Sequence, residues 1–133
     1  RENLAAIFLT HGHSDHISDI AALAADTGCA VACQFDLAPY LQGKGVAADT
    51  IVGFNKGGSV TVADVRATMT NAHHSSSIVE NGQAIALGTA AGYVLRFSNG
   101  FTVYHTGDTS VTMDMQIVGD LYKPDLTILP IGD

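Results

Sequence analysis

The chain has no tryptophan, only six basic residues, two cysteines and three prolines among its 133 residues. Each scarcity excludes something. Six Lys and Arg against 13 Asp and Glu give a formal charge of −7, and no basic cluster interrupts that excess. An acidic surface repels phosphate backbones, so nucleic acid is not an expected partner. No apolar run approaches the ~20 residues that a membrane span needs, so no span is expected. Arg1-Glu2-Asn3 opens polar and leads into a strand-like run, without a secretory-signal pattern. Cys29 and Cys33 are separated by three residues, not the two of a redox or zinc pair. On a strand they share a face but lie too far apart for an unstrained disulfide. They read as buried thiols acting as small apolar side chains, and a reducing cytoplasm is the expected compartment.

Two catalytic devices are also missing. No Gly-x-Ser-x-Gly elbow surrounds Ser75, Ser76 or Ser77, so these serines read as loop-capping or substrate-contacting residues rather than nucleophiles. Gly53-Phe54-Asn55-Lys56-Gly57-Gly58-Ser59 has its lysine on the wrong side of the second glycine for a phosphate loop. It reads as a hairpin turn.

What is present is concentrated in Thr10-His11-Gly12-His13-Ser14-Asp15-His16. Four candidate metal ligands, His11, His13, Asp15 and His16, fall within six positions. In an extended segment residues i and i+2 point the same way, so His11 and His13 can reach one divalent ion. Gly12 lets the backbone between them bend without a side-chain clash. Asp15 and His16 lie beyond the turn and suit a second ion. Imidazole and carboxylate donors favour Zn, Mn or Fe over softer metals. The bland alternative is a helix start capped by Ser14 or Asp15.

The flanking pattern places this cluster at the junction of a strand (4–10) and a helix (17–27), where open α/β sheets tend to bind ligands. Gly28 reads as the helix stop, residues 29–33 as a buried strand and 35–41 as a short helix with Pro39 near its first turn. Strand, loop, helix and strand make a βαβ unit. Val60, Val62 and residues 65–69 alternate as strands do, and Glu80-Asn81-Gly82-Gln83 reads as a turn. Residues 93–97 and 101–104 form an evident hairpin; Thr109 or Ser110 can cap a helix through Leu121, which Pro124 ends before a last strand over 125–131. The chain is 47% hydrophobic with a mean hydropathy of +0.23, enough for one domain with a sizeable core.

Four further residues carry potential chemistry. His73 and His74 follow a strand, and the residues alone do not say which one coordinates. Asp108 follows another strand. It suits either a helix cap or a carboxylate shared between two ions. His105 suits either the orientation of a ligand or a satisfied place in the core.

His-x-His-x-Asp-His resembles the first long motif of the metallo-β-lactamase superfamily of dinuclear hydrolases. Ala72-His73-His74-Ser75-Ser76, Tyr104-His105-Thr106-Gly107-Asp108-Thr109 and Leu129-Pro130-Ile131-Gly132-Asp133 resemble one branch of it, described as metal-dependent hydrolases. That branch is similar to ascorbate-phosphate lactonases and, more distantly, to the phospholipase D acting on N-acyl-phosphatidylethanolamines. The resemblance implies an α/β fold, the αββα sandwich, here partial: residues 1–133 would be an incomplete domain lacking N-terminal strands and a C-terminal part. It maps a ligand onto His74, a metal bridge onto Asp108, and one further histidine beyond Asp133. Asp133 itself receives no role.

The function implied is metal-dependent hydrolysis of an ester, lactone or phosphodiester in a small-molecule substrate. Two divalent ions, zinc foremost with Mn or Fe as alternatives, hold a bridging water or hydroxide. His11, His13 and His74 would bind one ion. Asp15, His16 and Asp108 would bind the other, with Asp15 also moving a proton. A homo-oligomer is compatible with the sequence. The competing expectations are a metal-binding protein of this fold without turnover and a di-iron oxidoreductase. The latter type has Glu where this chain has His13.

Overall fold

The computed structural model describes residues 3–132, so Asp133 lies outside the described residues. Strands β1 (Ala6–Phe8), β2 (Ala30–Gln34) and β3 (Ile51–Phe54) form a parallel sheet in that order. A second sheet has the order β10-β9-β8-β5-β4. Its strands are β4 (Ser59–Val62), β5 (Val65–Asn71), β8 (Ala91–Arg96), β9 (Thr102–His105) and β10 (Leu126–Ile128). β4, β5, β8 and β9 pair antiparallel, and β10 runs parallel to β9. A separate hairpin, β6 (Ser77–Glu80) with β7 (Gln83–Ala86), turns on Asn81-Gly82 with both residues at positive φ.

The layers follow from the alternation of side chains along each strand. Tyr93, Met69, Ala67 and Ala91 point inward and meet Phe8 and Phe54 of the first sheet. The neighbouring Val94, together with Tyr104, points outward onto Val118, Met115 and Tyr122 of α4 (Met113–Tyr122). On the other side Val31 and Cys33 face Ile17, Ile20, Ala24, Leu37 and Leu41. Those residues belong to α1 (Ser14–Ile17), α2 (Ile20–Thr27) and the segment ending in α3 (Ala38–Gly43). Helix, sheet, sheet and helix are thus stacked, the expected αββα order. Two hydrogen bonds stitch the sheets at one end: the Tyr93 hydroxyl donates to Leu9 O at 2.7 Å, and Ala91 N–H donates to Thr10 O at 2.9 Å.

Several local expectations are corrected. The single helix over 17–27 is two helices, broken at Ser18–Asp19. The Ser18 hydroxyl bonds back to Ser14 O, a side-chain competitor for a helical carbonyl. The turn at 53–59 is not a hairpin. β3 pairs with β2, whereas Gly57 and Gly58 exchange backbone bonds with Met69, so this turn carries the chain from one sheet to the other. Neither Thr109 nor Ser110 caps α4, whose N-cap is Thr112. The Thr109 hydroxyl instead accepts from His73 N–H. Other expectations hold. Gly28 ends α2 in the left-handed conformation, and Pro39 lies in the first turn of α3. Both cysteines are buried and free, and burial pushes the Cys33 thiol up to about 11. Among the described residues no helix is long and apolar enough to cross a membrane.

Candidate metal centre

Three loops leave the C-terminal ends of β1, β5 and β9 and meet at the stitched end of the sandwich. The first carries His11 and His13, the second His73 and His74, the third Asp108. Backbone bonds hold the second and third together: His73 N–H donates to Thr109 Oγ1 at 2.8 Å, and Ser110 N–H donates to His73 O at 3.3 Å. The second is braced to the first through the buried Ser76. Its hydroxyl accepts from Gly12 N–H at 3.1 Å and donates to Leu87 O at 2.8 Å. The third turns on Gly107, whose φ is +64° and where an added Cβ would lie 2.5 Å from Ala91 O. Only glycine fits that turn.

His11, His13 and His74 have ring centroids 4.7, 5.1 and 4.9 Å apart, each pair steeply edge-on. His11 Nε2 and His13 Nδ1 are separated by 3.2 Å. Two nitrogens bound to one tetrahedral zinc at its usual bond length stand about 3.3 Å apart. The donor set therefore fits a divalent ion. A second group joins His11, His16 and Asp108, again with ligand atoms within 4.8 Å of one another. Asp108 Oδ2 lies 3.1 Å from His16 Nε2, 3.7 Å from His11 Nε2 and 3.9 Å from His74 Nε2. One carboxylate thus touches both groups. It is not a helix cap, because α4 begins beyond it.

Electrostatics keep the central ring ready to ligate. His11 is fully buried, and desolvation, reinforced by His16, lowers its pKa to about 4 despite the opposing charge of Asp108. Its lone pair is free at neutral pH, as a metal ligand requires.

The remaining candidates sort differently. The Asp15 side chain is 77% exposed and lies 3.5 Å from His16 Nε2, at the rim and outside both three-ligand groups. His73 is exposed. It lines a cleft of about 280 Å³ with His74, Asp108, Thr109, Ser110, Pro130 and Gly132. His105 accepts from Gly107 N–H through Nδ1 at 3.0 Å, so it braces the Asp108 turn; burial lowers its pKa. Two contacts went unforeseen. Thr10 Oγ1 lies 3.0 Å from His11 Nδ1, and Ser75 Oγ lies 3.0 Å from His13 Nε2. The available signal was a hydroxyl residue adjoining each histidine motif.

Comparison with known proteins gives a consistent picture. The profile of the Beta-lactamase superfamily domain matches residues 1–133. A metal-dependent hydrolase of Chloroflexus aurantiacus is 76% identical over 133 residues, covering 100% of this chain and 55% of the relative. Another from a Roseiflexus species is 63% identical over 132 residues, covering 99% and 54%. Among solved structures, a metallo hydrolase from the archaeon Ignicoccus hospitalis superposes with a TM-score of 0.80 at 30% identity, over 97% of this chain and 52% of that one. The chain spans about half the length of the curated relatives it matches.

Proposed function

The chain belongs to the Beta-lactamase superfamily domain family, and from that premise we propose that it supplies most of the metal centre of a metal-dependent hydrolase. The observation that carries this reading is the triangle of edge-on imidazoles at His11, His13 and His74, with Asp108 reaching beyond it to His16.

His11 belongs to both three-ligand groups, but its Nε2 has one lone pair and can serve one ion. Given to the imidazole triangle, it joins His13 and His74 on the first ion. His16 and one oxygen of Asp108 remain for a second, with the Asp108 carboxylate shared between the two. Asp15, beside His16 at the rim, completes the second set or exchanges protons with solvent. Zinc suits these donors best, with Mn or Fe as alternatives. When bound, such ions polarise a scissile carbonyl or phosphoryl group and acidify water.

The protein's own residues do the rest. Buried His11 stays neutral and fixes the centre of the site. His105 and Gly107 hold the turn that aims Asp108. The cleft beside His73, Thr109 and Ser110 also takes in His74 and Asp108 of the cluster, and a second cleft joins His13 and Asp15 to Ile78 and Val79 of the hairpin. These flanking clefts suit a small ester, lactone or phosphodiester. The net acidic charge disfavours nucleic acid.

The test is elemental analysis of the full-length protein, followed by a hydrolysis screen with the ion found. The reading expects two divalent ions per chain and hydrolysis lost on chelation and restored on reloading. Hydrolysis that persists after metal removal would refute it.

A further inference from the structure

Granting the ligand set proposed above, we propose that Ser75 is a positioning residue that fixes the tautomer of His13 and so turns its Nδ1 lone pair toward the ion. A neutral imidazole has one N–H and one lone pair, and only the nitrogen with the lone pair can ligate. His11 and His13 stand two residues apart and present opposite nitrogens to each other, Nε2 and Nδ1, at 3.2 Å. Left to themselves these two could share a proton, and the pair would satisfy itself without a cation.

The outer nitrogens decide otherwise. His11 Nδ1 meets Thr10 Oγ1 at 3.0 Å, and His13 Nε2 meets Ser75 Oγ at 3.0 Å. When each hydroxyl accepts the ring proton on its side, two lone pairs face one another across the centre. That arrangement is repulsive until a cation sits between them. Thr10 adjoins its ring in the chain, whereas Ser75 reaches His13 from 62 residues away, next to the third ligand. It therefore couples the loop bearing His74 to the ring of His13. Outer partners of metal-bound histidines alter affinity by roughly 10- to 100-fold. Ser75 is exposed, so water competes for the bond and the lower end applies.

The experiment titrates Zn²⁺ against a chromophoric chelator in the full-length protein, comparing wild type with Ser75→Ala, Ser75→Thr and His13→Ala. Nitrogen-15 NMR of the imidazoles reads the tautomer of His13 directly. We expect His13→Ala to lose zinc at this site. Ser75→Ala should bind it about tenfold more weakly with an unchanged thermal midpoint of the metal-free form. Ser75→Thr, which keeps the hydroxyl, should bind like wild type, and the His13 signal should leave the Nε2–H form only in Ser75→Ala. Zinc affinity and tautomer unchanged in Ser75→Ala would overturn the role of Ser75 while sparing the ligand set. A threonine variant as weak as the alanine variant would overturn it too. Equal zinc binding by wild type and His13→Ala would overturn the ligand set and the positioning role together.

Discussion

Leu87 lies against the backbone of Gly12 so closely that a Cβ added there would sit 2.7 Å from Leu87 Cδ1 and 2.8 Å from its Cβ. The glycine between the two histidines is thus required by a neighbour, not by an unusual φ. Leu87 is 3% exposed and cannot swing away. Gly12→Ala should cost about 1–3 kcal/mol by overpacking and spread the His11–His13 pair. Denaturant unfolding and metal titration of Gly12→Ala, Leu87→Ala and the double variant check this. The double variant should recover metal binding that Gly12→Ala loses. Additive losses would show that the contact is not the cause.

His11 and Asp15 should behave as opposites despite sharing one motif. His11 is fully buried at the centre of the first ligand set, so His11→Ala should abolish binding of the first ion and, in the full-length protein, hydrolysis. Asp15 is mostly exposed at the rim, so Asp15→Ala should retain the first ion and weaken only the second. Metal stoichiometry after dialysis reads both.

The metal-free protein should lose stability in mild acid. His11 has a pKa of about 4 when folded, against an ordinary value of 6.5, chiefly through desolvation. Between these values the unfolded chain binds the proton and the folded chain does not. The contribution is therefore complete above pH 6.5 and is lost as pH falls toward 4. Burial lowers His105 as well, with the same sign. Urea midpoints of the chelated protein should fall across that window, and the fall should shrink in His11→Gln.

Glu80 pins the β6–β7 hairpin to α3. Its Oε1 accepts from Tyr40 at 2.5 Å and pairs with Lys44 at 2.8 Å, and the Lys44 bond, then that of Tyr40, lowers the Glu80 pKa. The pair is solvent-facing and screened, so Glu80→Gln should leave global stability nearly unchanged. Amide exchange confined to the hairpin should quicken. Unchanged exchange there would show that Ile78 alone anchors it.

Much of the site was legible because ligand chemistry is local. His11 and His13 at i and i+2, after a strand and before a helix, announce a metal loop without any distant information. The same holds for Gly28 at the end of α2 and Asn81-Gly82 in the hairpin. Misreadings fell where one local signal serves two outcomes. Asn55 to Gly58 has the composition of a turn, and a turn can close a hairpin or pass between sheets. Thr109 resembles a cap, yet its hydroxyl is taken by His73 N–H from another loop.

By itself the order of residues determined the donor types, their clustering at a strand end and the alternation that builds two sheets between helices. Those properties depend on neighbours within a few positions. Tertiary structure brought His74 into the triangle, as the motif resemblance implied, while His73 lines the cleft without joining it. It also decided that Asp15 stays at the rim and that Asp108 spans both groups. These outcomes depend on where strands β1, β5 and β9 end relative to one another. Cross-sheet bonds such as Tyr93 to Leu9 and Ala91 to Thr10 set that alignment, between residues some 80 positions apart in the chain.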